Sequence, residues 1–283
     1  MTARSQPLCI YHGNCQDGFA AAWCVRRTFG PGVEFVAGVY QDPPPDVAGR
    51  DVIIVDFSYK RPVLEAMAVV AQSILILDHH RSAMEELAGL PAASPLMPES
   101  GLGALFDLER SGAGLAWDYF CHEKRPPLID HIEDYDLWRF RLSRTREVSA
   151  ALFSYPYDFA LWDELMRPKH LAQLIDDGAA IERKHHQDIA NLLPVVRREM
   201  VIGGIRMPVA NLPITLTSDG GNQMASEAGG IAACYRDTPA GRVFSLRSVA
   251  GGPDCQAIAV LYGGGGHVHA AGFRVPLGWE GDG

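Results

Sequence analysis

Lysine is scarce in this 283-residue chain, with four against 21 arginines, and the formal net charge is −9. A chain this acidic does not carry the extended basic surface of a long nucleic-acid track. The charge favours a small anionic substrate over a long polymer. Arginine's planar fork suits two-point contacts to phosphate or carboxylate. A Cys-x-x-Cys pair is also lacking: Cys9, Cys15, Cys24, Cys121, Cys234 and Cys255 form no tight framework. That excludes a disulfide scaffold and a thiolate zinc site, and it reads as reduced thiols in a cytoplasmic protein. No apolar run approaches membrane-spanning length, and residues 1–7 have no apolar segment after their arginine. A soluble intracellular protein with no membrane partner is expected. Neither a Gly-x-Ser-x-Gly elbow, an internal repeat nor a low-complexity tract is present.

What is there centres on residues 74–81, Ile-Leu-Ile-Leu-Asp-His-His-Arg. Four consecutive apolar residues describe a strand buried on both faces, as in a parallel sheet covered by helices. Asp78, His79 and His80 are poor core residues and good metal ligands, so the strand delivers a site at its end. Successive residues of an extended chain point opposite ways, so His79 and His80 do not bind one ion side by side. Two more apolar runs stop in the same manner: Leu8 to Tyr11 in His12, and Val52 to Val55 in Asp56. Ligands of open α/β sheets lie beyond the carboxyl ends of the strands, so these three ends converge on one crevice.

The rest of the chain completes an α/β pattern with a mostly parallel sheet flanked by helices. An alanine-rich helix follows residues 12–18 and ends near Gly30. A second strand covers residues 34–40, a third 51–58, a crossover helix 62–72 and another strand 103–108. Three prolines make residues 91–101 a surface loop. Helices cover 111–122 and 126–138, the latter with Asp130, Glu133, Asp134 and Asp136. Asp130 and Glu133 read as a solvated face, and one of Asp134 and Asp136 turns inward. Residues 161–198 are helical, interrupted by Pro168 and Gly178. The polar stretch 181–193 bridges domains, with His185 and His186 as solvated linker residues. The expected division is a catalytic domain over 1–160, a helical linker over 161–198 and a smaller α/β domain over 199–283. In the last part, residues 200–210 form a hairpin whose Pro208 implies an edge strand. The run Gly263 to Gly266 before His267 suits either close approach of backbone N–H groups to an anion or a hairpin loop.

Taken together, Asp78-His79-His80, the His12…Asp17-Gly18 opening, Asp56 in Val-Asp-Phe-Ser, a later helical aspartate and Gly-Gly-Gly-His-x-x-Ala-Ala-Gly at Gly264 to Gly272 resemble the DHH phosphoesterases over nearly the whole chain. The resemblance implies hydrolysis of phosphoric esters or anhydrides by metal-activated water, with Mn2+ or Mg2+, in a cleft between two domains. It implies that Asp56 bridges two metals. Asp17, His79 and Asp134 complete one site, and His12 belongs to the other. His80 contacts phosphate, Asp78 orients an imidazole, and Arg247, Gly264, Gly265, Gly266 and His267 hold substrate. One acid of the family's opening is absent, because Gly13-Asn14-Cys15-Gln16 separates His12 from Asp17. One tightly held ion and one loose ion are therefore expected. The substrates implied are short oligonucleotides or small phosphorylated nucleotides. Inorganic polyphosphate, or a hydrolytically inactive nucleotide-binding protein, are the alternatives. Intact Asp17, Asp56 and the triplet favour an enzyme. The sequence leaves oligomeric state open.

Overall fold

A computed structural model describes residues 6–13, 15–40, 42–93 and 101–282 of the protein. Asn14 and most of the proline-rich loop read over 91–101 lie outside the described residues. The chain divides into two compact units, residues 1–182 and 183–283.

The first unit runs β1 (Leu8–His12), α1 (Gln16–Phe29), β2 (Glu34–Gly38), β3 (Asp51–Val55), α2 (Arg61–Val70), β4 (Ser73–Asp78), α3 (Arg81–Glu86) and β5 (Gly101–Phe106). Helices α4 (Gly112–Phe120), α5 (Pro127–Asp136), α6 (Thr145–Leu152) and α7 (Phe159–Leu165) follow. The five strands form one wholly parallel sheet in the order β2-β1-β3-β4-β5. Alternate residues of its central strands feed two different cores. Ile53, Val55, Leu75 and Leu77 face one with α1 and α4, and Ile54, Ile74 and Ile76 face the other with α2. Burial on both faces is what the unbroken apolar runs demanded. From β1 the chain moves outward to β2, then returns to place β3 on the other side of β1. The strand order thus reverses between β1 and β3, where α/β sheets open a crevice.

Helix α8 (Leu171–Val196) passes through the division between the units. It is continuous across Gly178, where a break was expected. A side chain there would meet the Glu147 carbonyl oxygen at 1.8 Å, so this glycine marks close packing on α6. The division falls at residues 182 and 183, inside the segment read as a separate linker. Leu174 belongs to the first unit's core, and Ile189 and Leu193 belong to a core of the second. His185 is no solvated linker residue, since its Nε2 lies 2.9 Å from Asp219 Oδ2 with both side chains largely buried.

The second unit contains β6 (Arg197–Ile202), β7 (Ile205–Asn211), α9 (Ile214–Ala228), β8 (Ile231–Thr238), β9 (Gly241–Ser248), α10 (Cys255–Leu261), β10 (Gly265–Gly266) and β11 (Ala270–Val275). Its sheet is mixed, in the order β10-β11-β9-β8-β7-β6. The hairpin expected near residues 200–210 is β6–β7, but Pro208 does not lie on an edge strand: β7 sits between β6 and β8. The parallel ladder to β8 begins only at Val209, so the missing proline N–H is not required on that side. No described helix is long and apolar enough to cross a membrane.

Candidate active site

Three neighbouring strands of the first sheet deliver the site. His12 closes β1, Asp56 follows β3, and Asp78, His79 and His80 end β4. The Asp56 N–H donates to the Leu77 carbonyl at 2.9 Å, which levels the ends of β3 and β4. At Asp56 the backbone turns into the left-handed region, φ 53°. That conformation costs about 1–3 kcal/mol for a non-glycine residue, and aspartate tolerates it better than most. The turn lays the side chain against the start of α4. A Cβ on Gly112 would lie 2.3 Å from Asp56 Cβ, so only glycine fits there.

Asp56 is 1% exposed, and its two oxygens face different imidazoles. Oδ1 lies 3.0 Å from His79 Nε2, and Oδ2 lies 3.4 Å from His12 Nδ1. His79 Nε2 also lies 3.5 Å from Asp136 Oδ2 and 3.8 Å from Asp17 Oδ2. Among the described residues, two groups of possible ligands lie wholly within the first unit: Asp17, His79 and Asp136, and His12, Asp56 and His80. Asp17 stands in the first turn of α1, buried, and accepts from the N–H groups of Gly112 at 2.6 Å and Ala113 at 3.0 Å. The N-terminus of α4 therefore sets the orientation of its carboxylate. Asp78 braces the end of its own strand. Its Oδ1 lies 2.7 Å from His80 Nδ1 and accepts from the backbone N–H of His79 and His80.

Asp134, expected in the metal set, is elsewhere. Its carboxylate accepts from the N–H groups of Arg141 and Leu142 and from Thr145 Oγ1. The acid of α5 that reaches His79 is Asp136, with its side chain 26% exposed. Two residues along a helix turn about 200°, so bringing one of these acids inward carries the other away. Glu133 is not a solvated residue either. Its Oε2 accepts from the Ser111 N–H and its Oε1 pairs with Arg125 at 2.9 Å, which anchors the start of α4.

The electrostatics call for a cation. Burial and the neighbouring Asp56 and Asp136 push the Asp17 carboxyl well above its ordinary value. Burial alone would lower the His79 imidazole, but Asp136, Asp56 and Asp17 raise it well above the usual range. Burial works against the Asp56 carboxylate too, yet His12 and His79 hold it far below the ordinary carboxylate value. Among the described residues, the buried Asp56 Oδ2 accepts no hydrogen bond. Three carboxylates, imidazoles and an acceptor without a donor fit a divalent cation with a preference for oxygen and nitrogen ligands.

In the second unit, Arg247 lies on β9 beside the core residue Leu246 and faces the opposite way, toward α9. Its guanidinium donates to Ser218 Oγ at 2.9 Å. The glycines near His267 form the β10–β11 hairpin. A side chain on Gly264 would meet the Gly272 carbonyl at 2.1 Å, so close strand packing accounts for that glycine. His267 and Ala270 bond to each other through their backbones across the turn.

No family model matches the chain. It is 28% identical to an uncharacterized protein of Acanthamoeba polyphaga mimivirus over 93% of its length, and it spans 66% of that relative. Among solved structures, the DHH domain of a member of a family of ribosomal proteins superposes with a TM-score of 0.60 at 13% identity. That match covers 95% of this chain and 82% of the other. A pGpG-specific phosphodiesterase from Vibrio cholerae gives a TM-score of 0.48 at 14% identity, covering 96% and 94%. The fold of this chain is the DHH-domain fold. Its Asp-His-His triplet ends the fourth strand of the first sheet, beside the crevice where the strand order reverses.

Proposed function

We propose that the protein is a divalent-metal-dependent phosphoesterase, cytoplasmic, acting on short oligonucleotides or small phosphorylated nucleotides. The observation that carries this reading is Asp56, one buried carboxylate whose two oxygens address two separate ligand groups. Asp17, His79, Asp136 and Asp56 would hold one ion, and His12, Asp56 and His80 a second. Two such ions would supply charge neutralisation at the phosphoryl oxygens and would lower the pKa of water toward neutrality. The chain's own groups do the rest. The α4 N-terminus fixes Asp17, and Asp56 keeps the two groups in register. Asp78 sets the His80 ring by holding its Nδ1 at 2.7 Å, so that Nε2 is the nitrogen it would present to the second ion. A panel of dinucleotides, short oligomers, adenosine 3′,5′-bisphosphate, cyclic dinucleotides and polyphosphate, assayed with Mn2+ and with Mg2+, tests the proposal. Absence of metal-dependent hydrolysis of all of them would refute it.

Calorimetric titration of metal-free protein with Mn2+ should show two unequal steps. The group around His12 offers one carboxylate where the group around His79 offers up to three, and fewer anionic ligands bind a divalent ion more weakly. Asp17 and His79 are both shifted upward, so each keeps its proton to a higher pH than usual and an ion competes with that proton. Binding should therefore release protons, and affinity should rise with pH. Two equally tight steps, or pH-independent binding, would contradict this ligand assignment.

Arg247 is assigned to substrate in the same reading, together with Gly264, Gly265, Gly266 and His267 of the second unit. A charge-assisted contact to phosphate contributes about 1.5–3 kcal/mol, roughly ten- to a hundredfold in binding. Arg247→Ala should raise KM by that factor and leave Mn2+ affinity unchanged. An unaltered KM on every active substrate would remove Arg247 from the site.

A further inference from the structure

We infer that Tyr40 is a base-stacking residue beside the phosphate centre, and so a determinant of preference for nucleotides over base-free phosphates. The inference rests on the phosphoesterase reading above and adds to it the group recognised next to the phosphate. Tyr40 follows β2, in a turn closed by the Asp42 N–H donating to the Val39 carbonyl at 3.1 Å. The end of β2 is itself tied to the end of β1, through the Gly13 N–H and the Gly38 carbonyl at 2.9 Å. Pro43, Pro44 and Pro45 follow and restrict the returning backbone.

This framework holds the Tyr40 ring 5.4 Å from the His12 ring and 6.0 Å from the His80 ring, centroid to centroid, both edge-on. These are two of the three residues of one ligand group. Behind Tyr40 lies Phe57, 4.8 Å away and 1% exposed, itself packed on Tyr59. Tyr40 is 43% exposed. Packing on Phe57 therefore accounts for part of the ring and leaves the rest open to solvent next to the site. Inorganic phosphate chains have no group to place there. A nucleotide does, because every base has an apolar face that stacks without regard to sequence, and stacking on an aromatic side chain strengthens binding roughly five- to a hundredfold per base.

The test compares a dinucleotide with the same molecule carrying an abasic tetrahydrofuran residue, first at one position and then at the other, on the full chain with Mn2+. In the wild type, kcat/KM should favour the complete dinucleotide at one of the two positions. Tyr40→Ala should reduce that preference roughly five- to a hundredfold, whereas Tyr40→Phe and Tyr40→Trp should keep it. An equal loss on both substrates in Tyr40→Ala, or an unchanged preference, overturns the inference and leaves the phosphoesterase reading intact. Equilibrium binding of uncleavable methylphosphonate versions of both molecules reads Tyr40 without turnover. Base-dependent binding that Tyr40→Ala abolishes, in a protein that hydrolyses nothing, would defeat the phosphoesterase reading and support the stacking role. No base-dependent binding in the wild type defeats the stacking role.

Discussion

Asp56→Asn should lower kcat on any active substrate by about a thousandfold or more at saturating Mn2+, with little change in fold. The substitution keeps the size of the side chain and tolerates the left-handed backbone at φ 53°, so the turn against Gly112 is preserved. It removes a negative charge that lies 3.4 Å from His12 Nδ1 and 3.0 Å from His79 Nε2. Transition-state charge stabilisation by bound metal is worth several kcal/mol, and every 1.36 kcal/mol is about a factor of ten in rate. The strand hydrogen bonds around position 56 come from the backbone, and circular dichroism and the unfolding midpoint should stay close to wild type. A variant that turns over at near wild-type rate would sink the shared-carboxylate assignment.

The second large effect separates two aspartates on one helix. Asp136→Asn should cut Mn2+ affinity and kcat/KM by roughly a hundredfold or more, since it removes an anionic partner 3.5 Å from His79 Nε2. Asp134→Asn should leave metal affinity nearly unchanged and lower stability instead. Its carboxylate receives two backbone N–H groups and the Thr145 hydroxyl, and charged hydrogen bonds contribute about 1.5–3 kcal/mol. The expected drop in Tm is about 3–12 °C. Burial would raise the Asp134 carboxyl, but Thr145, Arg141 and Leu142 outweigh it and hold it below the ordinary value. A depressed folded-state pKa stabilises above the ordinary carboxylate pKa, and that stabilisation is lost as pH falls through the folded value. The difference between Asp134→Asn and wild type should therefore be largest near neutrality and shrink below about pH 4. Loss of metal affinity in Asp134→Asn with none in Asp136→Asn would reverse the assignment.

The loop after α5 shows why position 134 matters without touching the site. Trp138, Phe140 and Arg144 all adopt positive φ, and Arg146 stacks on the Trp138 and Phe140 rings. Non-glycine residues in that region cost energy unless surrounding contacts hold them. Asp134 supplies part of that hold, and the loop begins directly after Asp136. A structural aspartate and a site aspartate are thus coupled through one stretch of strained backbone.

Much of this architecture was legible in the sequence for a local reason. A strand buried on both faces must be apolar along its whole length, so the polar residues at which β1, β3 and β4 stop stand out without knowledge of the fold. Strand order then brings those ends together, and His12, Asp56, Asp78, His79 and His80 needed no further information to be grouped. The opposite facing of Leu246 and Arg247 follows from the same alternation. Other features depend on contacts between residues far apart in the chain, and only the tertiary structure decides them. Helical periodicity says that Asp134 and Asp136 face apart; the packing of α5 against α1, α4 and α6 determines that Asp136 is the inward one. The union of Asp17 with the start of α4, the glycine that Asp56 requires at position 112, and the anchoring of Ser111 by Glu133 each join segments more than 20 residues apart. Tyr40 carries no mark in the sequence, since an aromatic before a proline run is ordinary. Its place beside His12 and His80 exists because β2 lies next to β1 in the sheet.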